Sequence, residues 1–594
     1  ADLVHDESRD FRLLGHLRAS YAPRSIPGLR ATLFTGTDVT TGQRDFFAPA
    51  IVRFQYVNQG EFRRARQERT SRLWESYLNY DRRLADNRFG LSLTGGYTYQ
   101  HFWADYPEEA FLGFEDTNFT FGQPPVNSQR QLGRENFQEN RLASFFGRGA
   151  FDWKHRYFLT ASFRLDGSSR FSPDNRWAAF PAISAAWRIS EEGFLKGRPK
   201  WLNELKLRVG WGLTGNQEIG DYQYLPTYTV GEQETSYPFG DEYILTARPN
   251  AVSTNLKWEQ TASGNIALEA RLFDDRLRTT IEAYHATTRD LLSRVVVPAG
   301  SNLSDVVLTN VGSIRNTGLE FSLDAQLLKG KAVSWTLGFN LATNHNRILS
   351  LGPTPDLSFQ AISTGNISGG TGNTIQVYQV GQPLHAFYVF QHLRDGAQNP
   401  LVDGVDHNND GRTDLSDIYA DVNGDGTVND RDRVAYGQPA PTLFGGLQTR
   451  LGFRSFGLQA SLRGQTGNYV YNNLAAVSES YDRILREPVL LNVPASIQEL
   501  GFREPQLFSN YYIEDASFLR MDALTVDYTL PSQPEKPSVR CYLTLQNVFT
   551  ITSYRGLDPE IGNVSGNPSD PRFGIDDLVF PRARTFLVGL NSTF

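Results

Sequence analysis

The 594-residue chain reads as an all-β protein, a large antiparallel transmembrane β-barrel with long extracellular loops. Three observations predict it. Apolar and polar residues alternate with period 2 through segment after segment of about ten residues, longer than soluble strands and suited to a tilted membrane crossing. No apolar run of about 18 residues occurs, so no helix is offered to span a bilayer, whereas barrel strands need only alternate. Short turns such as 273–276 and 328–331 contrast with long Gly-, Asn-, Pro- and Ser-rich connections at 215–255, 352–373 and 469–509. That contrast suits tight periplasmic turns and extended outer loops, and loops of this length are usually functional.

The alternation can be followed along the chain. Phe11, Leu13, Leu17, Ala19 and Tyr21 oppose Arg12, His16, Arg18 and Ser20, and Leu91, Leu93, Tyr97 and Tyr99 oppose Ser92, Thr94 and Thr98. Tyr157, Leu159, Ala161, Phe163 and Leu165 oppose Thr160, Ser162, Arg164 and Asp166, and Leu207, Val209, Trp211 and Leu213 oppose Lys206, Arg208 and Thr214. The pattern recurs from Ile266 to Leu272, Leu319 to Leu327, Val333 to Leu341 and Phe456 to Leu462. Thr585–Phe594 closes the chain with Phe586, Val588, Leu590 and Phe594 on one face, the form of a barrel's last strand. Polar faces carrying Arg, Glu and Asp suit a hydrated lumen.

Composition bounds the rest. The net charge of −7 gives no basic footprint for nucleic acid. The single Cys, Cys541, excludes an intramolecular disulfide or a Cys-based zinc site. The chain starts at Ala1 and holds one Met, Met521, as expected of a mature or trimmed product, so no targeting segment names the compartment.

The sharpest chemical signal is acidic. Asp421-Val-Asn423-Gly-Asp425-Gly426-Thr427-Val-Asn429-Asp-Arg-Asp432 fits the calcium loop D-x-N-x-D-G-x5-[DE]. Asp421, Asn423, Asp425, Asn429 and Asp432 offer side-chain oxygens, Thr427 its carbonyl, and Gly426 the sharp turn. Just upstream, Asp406, Asn408, Asp410, Arg412 (through its carbonyl), Asp414 and Asp417 fit the same template. Both loops close with Asp instead of the bidentate Glu of sensor loops and have no evident flanking helices. The expectation is structural calcium in an extracellular insertion spanning 406–432; the other reading is a pair of metal-free Asx turns. The nine His form no H-E-x-x-H pair, no G-x-S-x-G elbow occurs, and Gly445-Gly446 lacks the Lys of a phosphate loop, so no enzyme is indicated. Tyr222, Tyr224, Tyr228, Tyr237, Tyr511 and Tyr512 lie in long loops, where they could stack on sugars or peptide side chains or serve as interface-belt or loop-packing residues.

An ordered set of stretches resembles the SusC/RagA-like family of TonB-dependent outer-membrane transporters. They are Arg156 to Phe171, Phe180 to Arg188, Leu207 to Gln217, Leu256 to Glu259, Asn310 to Glu320, Asp421 to Gly426, Ser517 to Arg520, Tyr528 to Pro531, Gln546 to Phe549 and Pro581 to Phe586. The resemblance implies a barrel of about 22 strands with a plugged lumen. It also implies a SusD-like surface lipoprotein as a lid, oligosaccharide or oligopeptide import, and energy from an inner-membrane TonB complex. Two departures stand out. The loop at Asp406 to Asp417 adds to the family's single Asp-Asn-Gly loop. Ala1 also aligns several strands into the barrel, so the plug, TonB box and first strands are expected outside this sequence, and with them the partner of the last strand. The leading function is an active importer; a passive pore and a scaffold barrel in an envelope complex are the alternatives.

Overall fold

The computed structural model describes residues 3–593 apart from 56–57, 85–86, 116, 133–136, 232–235, 241, 297–305, 331, 353–360, 368–372, 486–491, 531–537, 563–571 and 578. Phe594, Pro531, Lys331 and parts of the long connections therefore lie outside the described residues. The chain divides into two compact units, one of Ala1–Ala186, Gly210–Thr261 and Asp290–Asn310, the other of Trp187–Val209, Ala262–Arg289 and Val311–Phe594.

In the first unit the strands His5–Tyr21, Leu29–Ala48, Glu61–Leu84, Phe89–Asp105, Phe137–Trp153 and Tyr157–Ser168 pair antiparallel, each with the one before it. Register places Ala19, Leu33, Ser76, Tyr97, Phe145 and Leu165 in one cross-strand row. On the opposite face the row is Arg18, Phe34, Glu75, Thr98, Ser144 and Asp166. Apolar side chains on the first face lie open, Leu17 at 65% and Phe145 and Phe163 at 52% exposure. A sheet bathed in water on both sides would not leave so broad an apolar band uncovered; lipid is the solvent that suits it.

Strand length departs from the ten residues expected. Glu61–Leu84 runs for 24 residues and Leu29–Ala48 for 20. At about 3.3 Å per residue the longer would reach about 80 Å, far more than a bilayer needs. Only its second half, with exposed Trp74 and Leu78, carries the apolar face. The first half is rich in Arg and Glu, which suits strand projecting past the membrane.

The second unit repeats the arrangement. Leu277–Arg289, Ser313–Lys329, Val333–Thr343, Leu443–Phe453, Phe456–Thr466, Phe518–Thr529, Ser538–Thr552 and Thr585–Thr593 pair antiparallel in that order. One row reads Leu323, Phe339, Leu447, Leu462, Met521 and Phe549, wholly apolar. Charged groups on the opposite face satisfy each other across strands, as where Glu269 takes Lys206 at 3.0 Å and Arg208 at 3.1 Å, and Arg208 reaches Glu282 at 2.9 Å. The last strand's partner among the described residues is Ser538–Thr552.

The buried core of this unit lies in the long connections. Ala361–Asn366, Thr374–Gln379, Ala386–Val389 and Val434–Ala435 form one small sheet. Tyr469–Asn472, Ile513–Asp515 and Ile575–Asp576 form another. Ile375, Phe387, Val389, Tyr471, Tyr512, Ile513 and Ile575 join the two in one core. The 469–509 connection also holds short helices, Asn473–Ser478 and Ile497–Leu500, that no apolar periodicity announced. In the first unit Phe171, Ile219, Leu256 and Trp258 of the connections form a core with Phe180 of the strand Trp177–Arg188.

An arginine at Ile281, on the open apolar face, should destabilise the protein in lipid vesicles by about 2–4 kcal/mol, the cost of a cation near the bilayer midplane. Ser322→Arg, one face away, should cost little; equal costs measured by denaturant unfolding would contradict the face assignment.

Candidate functional site

Both acidic loops fold alike because each Asx side chain captures nearby backbone amides, the local competition that draws Asp and Asn into turns. In the second loop Asp421 accepts from Gly424 at 2.8 Å and Gly426 at 2.7 Å, Asn423 from Asp425 at 2.8 Å, and Asp425 from Thr427 at 3.0 Å. In the first, Asp406 accepts from Gly411 at 2.9 Å, Asn408 from Asp410 at 2.9 Å, and Asp410 from Arg412 at 2.8 Å. Gly411 and Gly426 hold φ of +83° and +82°, which a Cβ would disfavour. Each loop then enters a one-turn 3₁₀ helix through a capping box, Asp414 with Asp417 and Asn429 with Asp432.

The closing carboxylates are the buried ones, Asp417 at 3% and Asp432 at 0% exposure. Asp432 accepts from Val422 at 2.9 Å, Asn423 at 3.2 Å and Asn429 at 2.8 Å. Asp417 accepts from His407 at 2.7 Å, Asn408 at 3.2 Å and Asp414 at 2.9 Å. These amide hydrogen bonds, Asn429's foremost at Asp432 and Asp414's foremost at Asp417, hold both carboxyls below the usual carboxylate range.

The donor set fits a hard cation in one respect and limits it in another. All the candidate atoms are oxygens, and among the described residues none of Asp406, Asp410, Asp414, Asp417, Asp421, Asp425 or Asp432 has an ion-pair partner within the chain. Such uncompensated anions, acceptor-only when ionised, are what a divalent oxygen-seeking ion requires. Yet no three Asp, Glu, His or Cys side chains converge as a metal-holding group among the described residues. An ion would therefore depend on Asn423, Asn408, Asn429 and the carbonyls of Thr427 and Arg412 to complete its shell.

The loops are seated on the packed long connections of the second unit, hereafter the cap. Ile418, Tyr419 and Val428 pack with Phe390, so each loop contributes an apolar foot. Arg433, directly after Asp432, donates to the Tyr388 carbonyl at 2.7 Å and to the Thr374 carbonyl, and lies 4.8 Å from the Phe508 ring centroid. Asp403 takes the amides of Arg503 at 2.9 Å and Glu504 at 3.0 Å, tying the first loop to a segment about a hundred residues on.

Of the loop tyrosines, Tyr512 is fully buried against Tyr471 and Tyr511, and Tyr224 packs on the first unit's loop core. Tyr228 and Tyr237 stay exposed on short hairpin strands and are open to a ligand. Residue patterns give no sign of the ion network in which Glu560 meets Arg463 at 2.5 Å and Arg582 at 2.7 Å while buried Asp558 meets buried Arg520 at 2.6 Å. Its members lie far apart in sequence, and only Ser517–Arg520 and Pro581–Phe586 stand out there, as family stretches.

An open apolar face, a polar reverse and long loops with cores of their own are what the wall of a transmembrane β-barrel presents. Residues 9–373 match the family model described as TonB dependent receptor-like, beta-barrel, and the chain belongs to that family. It is 33% identical to the TonB-dependent receptor SusC of Bacteroides thetaiotaomicron, over 100% of this chain and 57% of that protein. TonB-dependent receptor P3 of Formosa agariphila is 28% identical over 99% of this chain and 59% of its own length. Among solved structures, the RagAB peptide transporter superposes with a TM-score of 0.80 at 23% identity, over 99% of this chain and 62% of that one, a likeness of fold. The chain thus spans less than two thirds of these relatives' length.

Burial in the cap depresses His385 to about 4, where it packs edge-on to Tyr378 at 5.1 Å and against Phe573 at 4.8 Å. A histidine lowered in the folded state contributes stability that is present above its unfolded value of about 6.5 and lost as pH falls towards the folded one. Melting of the protein should therefore weaken between pH of about 6.5 and about 4, and His385→Gln should flatten that dependence. A profile unchanged by the substitution would contradict the assignment.

Proposed function

We propose that the chain forms the barrel of a TonB-dependent nutrient importer that takes up oligosaccharides or oligopeptides with a SusD-like lipoprotein seated over the long loops. The observation that carries this reading is the 33% identity to SusC across the whole chain. The wall's polar face supports it: hydroxyl, amide and guanidinium groups such as Thr525, Gln459 and Arg450 offer hydrogen bonds to a polyhydroxyl or peptide solute without an apolar trap. Energy would come from a TonB complex.

Calcium is part of the proposal. Asp421, Asn423, Asp425, Thr427, Asn429 and Asp432 would hold one ion, and Asp406, Asn408, Asp410, Arg412, Asp414 and Asp417 a second. Bound there, calcium supplies charge that offsets the clustered carboxylates. Arg433 and the apolar feet Ile418, Tyr419 and Val428 link the loops to the cap core, so ordering the loops would stiffen the surface offered to the lipoprotein.

Affinity purification of the tagged full-length protein from its native membrane should recover a surface lipoprotein, and liposomes containing it should swell slowly in oligosaccharide. Brisk solute flux with no lipoprotein recovered would replace the importer with a passive pore; a stable set of other partners with no ligand would favour a scaffold.

Calorimetry should detect calcium with a Kd of about 10⁻⁴ M or tighter, and excess calcium at about a hundredfold over Kd should add about 2.7 kcal/mol of stability per site. Asp421→Asn with Asp432→Asn should remove one site, and Asp406→Asn with Asp417→Asn the other. No heat of binding and a melting curve indifferent to chelator would overturn the calcium reading while leaving the importer standing.

A further inference from the structure

The short turns of the first unit form a basic collar beside an aromatic belt. Segments 22–28, 81–88 and 152–156 hold six Arg and Lys against three Asp, in a chain whose net charge is −7. These turns are neighbours in space. The Asp81 amide donates to the Gly28 carbonyl at 2.9 Å, Arg82 reaches the Pro27 carbonyl at 3.0 Å, and the Lys154 amide donates to the Arg88 carbonyl at 2.6 Å.

Four of the six cations are left without a carboxylate partner among the described residues. Asp152 is taken by Arg83 at 3.1 Å and His155 at 2.9 Å. Arg24, Arg82, Arg88 and Lys154 are exposed and have no carboxylate partner among the described residues. Register puts Arg82 on the same face as exposed Leu78, the lipid side. Lys154 Nζ sits 5.0 Å from the ring of Trp153, which stacks on Tyr157 at 5.6 Å, and both rings are exposed. In the second unit the exposed pair Lys196 and Lys200 precedes exposed Trp201, which packs near Phe273, with the same chemistry on another short connection.

We infer that this collar binds the anionic phosphate headgroups of phospholipids in the leaflet that faces the short turns. The aromatic rings set the depth of the interface, where Trp and Tyr settle at headgroup level. The long Arg and Lys side chains reach from that depth to the phosphates, and clustered cations flanking a membrane-spanning segment favour anionic lipid. Phosphate is the complement because guanidinium matches its oxygens in paired hydrogen bonds. The net-acidic remainder of the chain makes attraction by overall charge an inadequate alternative.

The test uses the full-length protein reconstituted in phosphatidylcholine vesicles with trace spin-labelled phosphatidylglycerol or spin-labelled phosphatidylcholine. The fraction of each label immobilised at the protein is read by electron paramagnetic resonance. Wild type should hold the glycerol lipid severalfold over the choline lipid at low salt. The preference should vanish near 1 M salt, where the screening length is about 3 Å. Arg82→Gln, Arg88→Gln and Lys154→Gln together should at least halve it, while Arg248→Gln, in a long connection, should not change it. Equal immobilisation of the two labels at low salt, or an unchanged preference in the triple variant, would overturn the inference. So would inorganic phosphate displacing the glycerol lipid far better than sodium chloride of equal ionic strength, which would mark a free-anion site. Should the triple variant fail to insert, a wild-type preference insensitive to salt would overturn the inference equally.

Discussion

The wall strands have lipid on one face and water on the other, and every backbone amide and carbonyl between must be satisfied within the sheet. That constraint explains why each of these wall strands pairs antiparallel with the next, with register shifts in the second unit between Gln326/Leu328, Ser461/Leu462 and Met521/Ala523. It also explains why the wall has little core. Ala19, Leu33, Tyr97 and Phe145 share a row and pack along the sheet surface, Tyr97 on Phe145 and Phe145 on Trp177, because lipid is to cover their outer side. Hydrogen bonding holds the wall, and the apolar face keeps it in the membrane.

A wall without a core cannot hold its long connections in place by burial beneath them, so the connections bury themselves. Phe387, Tyr471, Tyr512 and Ile575 come from four separate stretches and meet with essentially no exposure. In the first unit the connections also pack on wall residues such as Phe180 and Phe62, whereas in the second, one contact between connection and wall is made by charge. Asp558 and Glu560 are held by Arg520 and Arg463 of the wall strands and by Arg582 of the segment entering the last strand. With Asp522 on Arg463, six groups of opposite sign, three and three, balance there, so the desolvation of Asp558 and Arg520 is offset by mutual neutralisation. The acidic loops differ: Asp417 and Asp432 lean on backbone amides, and neither has an ion-pair partner among the described residues.

Much of this was legible in the sequence where the deciding interaction is local. Period-2 alternation identifies the wall because a strand's two faces are set by neighbours two residues away. The Asp421 and Asp406 loops announce themselves because an Asx side chain captures amides two to five residues on. Strand length was not legible: Arg63 to Arg72 reads as ordinary polar sequence, and only register with Leu29–Ala48 shows that it continues the sheet beyond the apolar band. The cap was not legible either. Tyr512 is indistinguishable in sequence from exposed Tyr237, and its burial depends on Tyr471, about forty residues upstream, and on Ile375, about 140 upstream. Arg463 finds Glu560 across 97 residues, a pairing no local pattern can announce.

The central claim is that the chain crosses an outer membrane with its long connections outside and its short turns within the periplasm. Single-cysteine accessibility in intact cells tests it most directly. With Cys541→Ser as background, Val422→Cys in the acidic loop and Lys154→Cys in a short turn would be exposed to a membrane-impermeant thiol reagent. The account predicts labelling of the loop cysteine in intact cells and of the turn cysteine only after the outer membrane is opened. Labelling of both in intact cells, or of the turn alone, would contradict it.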